Sequence, residues 1–224
     1  IMPPHAALKE ISFEIGQGEV LAIAGISGSG KSTLLQHLNG LLQPNAGEIS
    51  WQIEGKALNY HEFKALRYKV GMVFQFPEVQ FFEEHVFDEI AFGPRNLDLS
   101  EDEVEQRVIT ALGQVHLAFD AFSKRSPHLL SGGEKRRVAI ASILAMSPEV
   151  LVMDEPTVGL DPVTSHHVEA IMRQYNQQNR SLVFVSHDMD LVARLASRVI
   201  VLKDGYNVFD GTPFSLFSSQ DKLQ

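Results

Sequence analysis

Apolar residues in this chain fall into short, unbroken runs. Val20-Leu21-Ala22-Ile23-Ala24, Val70-Gly71-Met72-Val73-Phe74, Val150-Leu151-Val152-Met153, Ser181-Leu182-Val183-Phe184-Val185 and Val199-Ile200-Val201-Leu202 each read as a buried strand. Ile11-Ser12-Phe13-Glu14-Ile15 alternates instead, which predicts a half-buried strand. A turn at Pro44-Asn45-Ala46-Gly47 predicts a further strand from Glu48 to Ile53, and Asp204-Gly205 predicts a hairpin into Tyr206 to Asp210. Elsewhere the period is helical. Val104, Val108, Ala111, Leu112 and Val115 predict an amphipathic helix over 101–115, opened by a Ser100–Glu103 capping box. Val168, Ile171, Met172 and Tyr175 mark one face of another helix.

Strands that alternate with helices imply an α/β fold with a largely parallel sheet. Residues 76–147 read as a helical subdomain inserted into one α/β core made of 1–75 and 148–224. Ligands of such sheets bind beyond the carboxyl ends of the strands. Gly25, Gln75, Asp154 and His187 all stand at or just past a strand end.

The strongest chemical signal follows the first buried run. Gly25-Ile26-Ser27-Gly28-Ser29-Gly30-Lys31-Ser32-Thr33 fits the phosphate-loop pattern G-x-x-x-x-G-K-[ST], between a strand and a helix. Its glycines permit backbone geometries that a Cβ would hinder, and its N–H groups and the helix N-terminus can face an anion. Lys31 would reach the β- and γ-phosphates, and Ser32 would ligate Mg²⁺.

Asp154 ends an apolar run, where a carboxylate can hold Mg²⁺, and Glu155 beside it could polarise an attacking water. An apolar run that simply exits into an acidic turn looks the same. His187 is either structural or a donor to a γ-phosphate oxygen. Gln75 could contact Mg²⁺ or water from the neighbouring strand end. Leu130-Ser131-Gly132-Gly133 is a second glycine-rich anion candidate, at a helix N-terminus with Ser131 as cap. It reads either as a plain cap or as a loop offered to the nucleotide of a second copy.

Composition narrows this little. The 224 residues suit one large domain, and 44% hydrophobic content is that of an ordinary globular protein. No run approaches the roughly 20 apolar residues of a membrane span, and no secretory signal is visible. The absence of cysteine excludes disulfides and thiolate metal sites. The net charge of −9, with no basic block, argues against a nucleic-acid partner. The chain begins with Ile1 rather than Met, so residues are expected to precede it.

Taken in order, these motifs resemble the ATP-binding-cassette (ABC) ATPases over nearly the whole chain. They are the phosphate loop Gly25–Thr33, Gln75, Leu130-Ser131-Gly132-Gly133, Val150–Asp154 with Glu155, Gly159-Leu160-Asp161, and His187. The resemblance implies a P-loop fold with an antiparallel β part and the helical subdomain. It implies ATP bound by Ser27 to Thr33, Gln75 and a second subunit's Ser131, Gly132, Gly133 and Asp161. It makes Lys31, Glu155 and His187 catalytic, and Ser32, Gln75 and Asp154 the Mg²⁺ residues.

The stretch Val73-Phe74-Gln75-Phe76-Pro77-Glu78-Val79-Gln80-Phe81-Phe82-Glu83-Glu84, with Ala91-Phe92-Gly93-Pro94, is similar to the energy-coupling-factor importers, the group that includes the cobalt and nickel ATPases. Ser131 to Ala141 agrees with that group. The likeness implies a hydrolysing subunit at the cytoplasmic face of the membrane, in vitamin or transition-metal uptake. Its partners would be a second cassette, identical or paralogous, a transmembrane coupling protein and a substrate-binding membrane component. Phe76, Phe81 and Phe82 would anchor a helix of the coupling protein. The ATPase of another ABC transporter class, a soluble non-transport ABC ATPase in DNA repair or on ribosomes, and an inactive regulator are the competing readings. Such soluble ATPases carry long coiled coils or two cassettes, neither visible here, and intact Lys31, Asp154, Glu155 and His187 speak against the regulator. Two departures stand out. The family stacks adenine on an N-terminal aromatic residue, yet none precedes Phe13, and His5 is a poor substitute. The group tends to continue past a segment like Asp210-Gly211-Thr212-Pro213 with an extension, so dimer contacts made there would be missing or altered.

Overall fold

A computed structural model describes residues 6–53, 56–58 and 63–218. Among these the strands are β1 (Val20–Gly25), β2 (Trp51–Ile53), β3 (Lys56–Leu58), β4 (Val70–Val73), β5 (Val150–Asp154), β6 (Ser181–Val185), β7 (Arg198–Lys203) and β8 (Tyr206–Gly211). Six form one sheet in the order β4-β5-β6-β1-β7-β8, parallel as far as β7 and antiparallel between β7 and β8. β2 and β3 pair antiparallel by themselves.

The unbroken apolar runs are explained by burial on both faces. Successive side chains of a strand point to opposite sides. Leu21 and Ile23 accordingly enter one apolar cluster, with Val152, Val183 and Ile200, while Ala22 and Ala24 enter another, with Leu151, Met153 and Phe184. On the first side lie α1 (Lys31–Leu38) and α2 (Phe63–Lys69), through Leu34, Leu35 and Leu66. On the second side lie α3 (Val86–Arg95), α4 (Glu101–Gln114), α6 (Gly132–Leu144), α7 (Pro162–Asn176) and α8 (Met189–Leu195). Short α5 (Phe119–Phe122) follows α4, and α9 (Pro213–Ser218) closes the described chain.

The chain between β4 and β5 folds as helices. In α4 the Ser100 hydroxyl accepts from the Glu103 N–H and the Glu103 carboxylate accepts from the Ser100 N–H, so the capping box forms. Val104, Val108, Ala111 and Leu112 are the buried face of α4, as their spacing requires. At Asp204 and Gly205 φ is 52° and 85°, the left-handed pair that a tight hairpin between twisted strands demands.

Two expected strands differ. Residues 11–15 alternate in burial but join no ladder among the described residues; Ile11, Phe13 and Ile15 pack on the α1 side of the sheet, and the Glu14 carbonyl accepts from Arg198. Alternation reports a half-buried face, whereas a strand also needs a partner edge. The segment expected to pair from Glu48 pairs only from Trp51, whose indole N–H donates to the Leu38 carbonyl at 3.0 Å and ties β2 to α1.

Leu112 is wholly buried where α4 packs against the sheet-facing helices. Leu112→Ala is expected to lower stability by about 2–5 kcal/mol in urea unfolding. A loss below about 1 kcal/mol would show that α4 does not anchor this layer.

Candidate active site

β1 delivers the chain to Gly25, where φ is 142° and a Cβ would strike the Leu202 carbonyl of neighbouring β7. Gly30, at φ 101°, caps α1, and a Cβ there would come within 2.6 Å of the Ala7 carbonyl. A side chain at Gly25 would push the loop away from β7, and one at Gly30 would strike the Ala7–Leu8 segment. Lys31 folds back: its Nζ donates to the carbonyls of Gly25 at 2.8 Å and Ile26 at 2.9 Å. Burial pushes the Lys31 ammonium below the ordinary lysine range, against the pull of the Glu155 and Asp154 carboxylates. Ser29 is buried, while Ser27, Gly28 and Ser32 face solvent at the mouth of the loop and Thr33 is half-buried.

Parallel register brings the other strand ends to the same level. Asp154 pairs with Val185, and Val185 with Ile23, so β5, β6 and β1 finish side by side. Asp154 is buried at the end of β5. Glu155 follows in a left-handed backbone, φ 48°, unusual for a residue with a long side chain. Its N–H donates to the Val185 carbonyl at 3.1 Å. Its carboxylate turns towards the loop after β6: the His187 N–H donates to Oε2 at 3.3 Å, and His187 Nε2 lies 3.1 Å from Oε1, near enough for attraction but unaligned for a hydrogen bond. Lys31, Asp154, Glu155 and His187 thus form one cluster at the carboxyl edge.

Ser131, Gly132, Gly133 and Asp161 form another. Ser131 caps α6, accepting from the Glu134 N–H, while the Glu134 carboxylate accepts from the Ser131 N–H at 2.8 Å, a bond that holds Glu134 below the usual carboxylate range. Ser131 and Gly132 are exposed. Asp161 caps α7, its Oδ1 accepting from the N–H groups of Val163 and Thr164 at 3.0 and 3.1 Å and its Oδ2 from the Thr164 hydroxyl at 2.6 Å. The two caps touch: a Cβ on Gly133 would lie 2.7 Å from the Thr164 hydroxyl. Among the described residues no hydrogen bond or ion pair joins this cluster to the Lys31 loop. Among the described residues the chain thus carries two groups of candidate residues with no bond between them.

Comparison with known proteins identifies the family. Residues 8–158 match the sequence family described as "ABC transporter". The energy-coupling factor transporter ATP-binding protein EcfA2 of Ligilactobacillus salivarius is 50% identical over 224 residues, covering 98% of this chain and 77% of its own. The EcfA2 of Clostridium tetani is 45% identical, covering 97% of this chain and 76% of its own. The chain belongs to the ABC transporter ATPases, of the energy-coupling-factor type. A solved structure of this ABC family, cbiO1 from Clostridium perfringens, part of the ABC transporter complex cbiONQ, superposes with a TM-score of 0.84 at 37% identity, over 97% of this chain and 86% of that one. The dimeric cassette MJ0796, in a post-hydrolysis state with ADP and Pi, gives 0.78 at 30% identity, over 92% and 90%.

In this ABC cassette Gln75 is exposed just past β4, at the edge of the sheet and one strand beyond Asp154. The phenylalanines after it divide. Phe76 and Phe82 are 51% and 59% exposed, whereas Phe81 is 9% exposed and packed in the apolar core, and Phe81 and Phe82 both line a groove. Odd spacing in an irregular segment cannot tell which ring turns inward. Phe82 packs edge to face on Phe92, centroids 4.9 Å apart, beside a groove of about 390 Å³ lined by Tyr68, Met72, Phe74, Phe92 and Met146. His5 lies outside the described residues, and Phe13 is packed against the core cluster on the α1 side.

Thr164 was not among the expected site residues. Its signal was present, for Asp161-Pro162-Val163-Thr164 is a capping aspartate with proline in the first helical turn. Gly133→Ala should drive its methyl into Thr164 and cost about 1–3 kcal/mol in thermal or urea unfolding. Adding Thr164→Ala should restore most of that loss relative to Thr164→Ala alone; equal penalties with and without Thr164 would refute the contact.

Proposed function

We propose that two such cassettes meet head to tail, each closing its Ser131 surface over the nucleotide held by the other's Lys31 loop. The observation that carries this reading is that the exposed Ser131 and Gly132 make no hydrogen bond or ion pair to the Lys31 loop of their own chain among the described residues. The dimeric state of the structurally similar MJ0796 cassette supports it. In the closed pair ATP rests on the N–H groups from Ser27 to Thr33. Lys31 exchanges its bonds to the loop carbonyls for the β- and γ-phosphates. Ser131, Gly132 and Gly133 present hydroxyl and N–H donors from the opposite side, with Asp161 beside them.

The donor set at the loop fits Mg²⁺. The Ser32 hydroxyl and the Asp154 carboxylate are hard oxygen ligands, too few to cage the ion alone, as suits a cation that keeps waters and phosphate oxygens. Gln75 would complete the set from the neighbouring strand end. Bound there, Mg²⁺ would neutralise charge on the phosphates. The protein's own residues do the rest. Glu155 orients a water on the γ-phosphate and takes up its proton as the terminal P–O bond breaks to ADP and phosphate. His187 donates to a γ-phosphate oxygen and holds the Glu155 carboxylate towards it. Loss of the γ-phosphate removes the bridge between the two surfaces, and the pair opens.

The opening and closing would be passed to a membrane coupling protein seated in the groove beside Phe76 and Phe82. Among the described residues no helix is long and apolar enough to cross a membrane. The likeness to energy-coupling-factor ATPases supports a peripheral subunit at the cytoplasmic face, beside a substrate-binding membrane component, in uptake of a vitamin or a transition metal. No nucleic acid takes part.

Glu155→Gln should lower ATP turnover by about 100-fold or more, while light scattering shows dimers that persist with ATP. Turnover at the wild-type rate would remove Glu155 from its role. Phe82→Asp places a charge in the groove and should reduce recovery of the membrane subunits in pull-downs by about tenfold, the equivalent of roughly 1.4 kcal/mol. Undiminished recovery would move the docking surface elsewhere.

A further inference from the structure

Helices α7 and α8 each open at a site residue. α7 is capped by Asp161, and its Thr164 lies against Gly133. α8 begins two residues past His187, with Asp188 between them as its cap accepting from the N–H groups of Asp190 and Leu191 at 2.9 and 3.0 Å. Under the two-subunit reading proposed above, on which this inference rests, His187 serves the chain's own nucleotide and Asp161 the other one. Whatever joins α7 to α8 therefore joins two sites.

Apolar contact does part of this. Val168, Ile171 and Met172 of α7 share a core cluster with Leu191 and Val192 of α8. Burial of this kind is non-directional. One polar side chain supplies direction. Glu169 of α7 is 9% exposed. Its Oε2 accepts from Arg194 Nη2 at 2.9 Å and Nε at 3.2 Å, across the gap to α8. Its Oε1 accepts from Arg173 Nη2 at 2.8 Å, one turn along α7. Arg173 Nη2 also donates to the Arg194 carbonyl at 3.0 Å, so the second guanidinium grips the last turn of α8 as well. Burial, which alone would raise the Glu169 carboxyl, is outweighed by bonds from Arg194 and Arg173, and it stays below its ordinary value. Paired guanidinium bonds of this kind hold both distance and angle.

The geometry points to Glu169 as a positioning residue that fixes α8 to α7 and so keeps His187 in register with the Asp161–Ser131 surface. Closure over one nucleotide, felt at Asp161, is then carried along α7 to the histidine at the other. The Lys31 loop lies on β1 and α1 and takes no part in the link.

The test uses the full chain with Glu169→Gln, Glu169→Ala, Arg194→Met and the double variant Glu169→Ala with Arg194→Met. Turnover should fall about fivefold in Glu169→Ala and Arg194→Met, the lower range of coupling between sites, with KM for ATP within about twofold of wild type. The double variant should be no slower than the slower single variant, because both break one link. Glu169→Gln keeps the shape of the side chain and separates loss of the charge pair from loss of packing, with thermal melting as the control. Wild-type turnover in these variants, additive losses in the double variant, or a KM that rises as fast as turnover falls would overturn the assignment. Measured alongside, Glu155→Gln separates the levels. Failure of that variant to dimerise with ATP overturns the two-subunit reading and this inference with it; dimers of Glu155→Gln beside fully active Glu169 variants overturn the role of Glu169 alone.

Discussion

The active edge depends on β1 lying between β6 and β7 in parallel register. Gly25 stands so close to the Leu202 backbone that no side chain fits. The chain must then leave the sheet at once, and it leaves as a loop whose N–H groups turn outward ahead of α1. The same register levels β5 and β6 with β1, which brings a buried carboxylate and a histidine loop beside a buried ammonium. A slip of one residue would exchange the two faces of each strand and turn Leu21 and Ile23 into the space of Ala22 and Ala24. The core and the site are therefore specified by one pairing pattern.

Charges held at that edge carry a desolvation penalty. Lys31, Asp154 and Glu155 are all under a tenth exposed. Removing such groups from water is unfavourable unless each finds partners. Lys31 finds two loop carbonyls, and Glu155 finds the His187 loop, in a backbone conformation a side chain seldom adopts. Local strain and buried charge concentrated at one place are hallmarks of a site kept for chemistry rather than stability. The helical side of the protein solves a different problem. There, small contacts decide which exposed groups share a surface: the methyl-free Gly133 admits Thr164, Thr164 steadies Asp161, and Glu169 ties the middle of that helix to α8.

Much of this could be read in the chain. Runs such as Val150–Met153 and Ser181–Val185 announced buried parallel strands, since only burial on both faces tolerates four or five apolar residues in succession. The Ser100 and Ser131 boxes announced helix starts, because a cap is a local arrangement of four residues. Readings failed where the deciding partner was distant in sequence. Ile11 to Ile15 has the rhythm of a strand but no ladder among the described residues, and Phe81 turns into the core while Phe76 and Phe82 turn out. Neither outcome is encoded by the nearest neighbours.

The sequence by itself determined the phosphate loop, the strand ends that carry Gln75, Asp154, Glu155 and His187, and the serine that caps α6. Each rests on short-range physics, where glycine dihedrals, apolar period and capping act over a few residues. Only the tertiary structure decided that these residues divide into two surfaces, that Lys31 is held by its own loop, and that α7 and α8 are locked together by Glu169. Those facts depend on strand order and helix packing. Both are set by which apolar faces cover one another across long stretches of chain, and no local pattern records that choice.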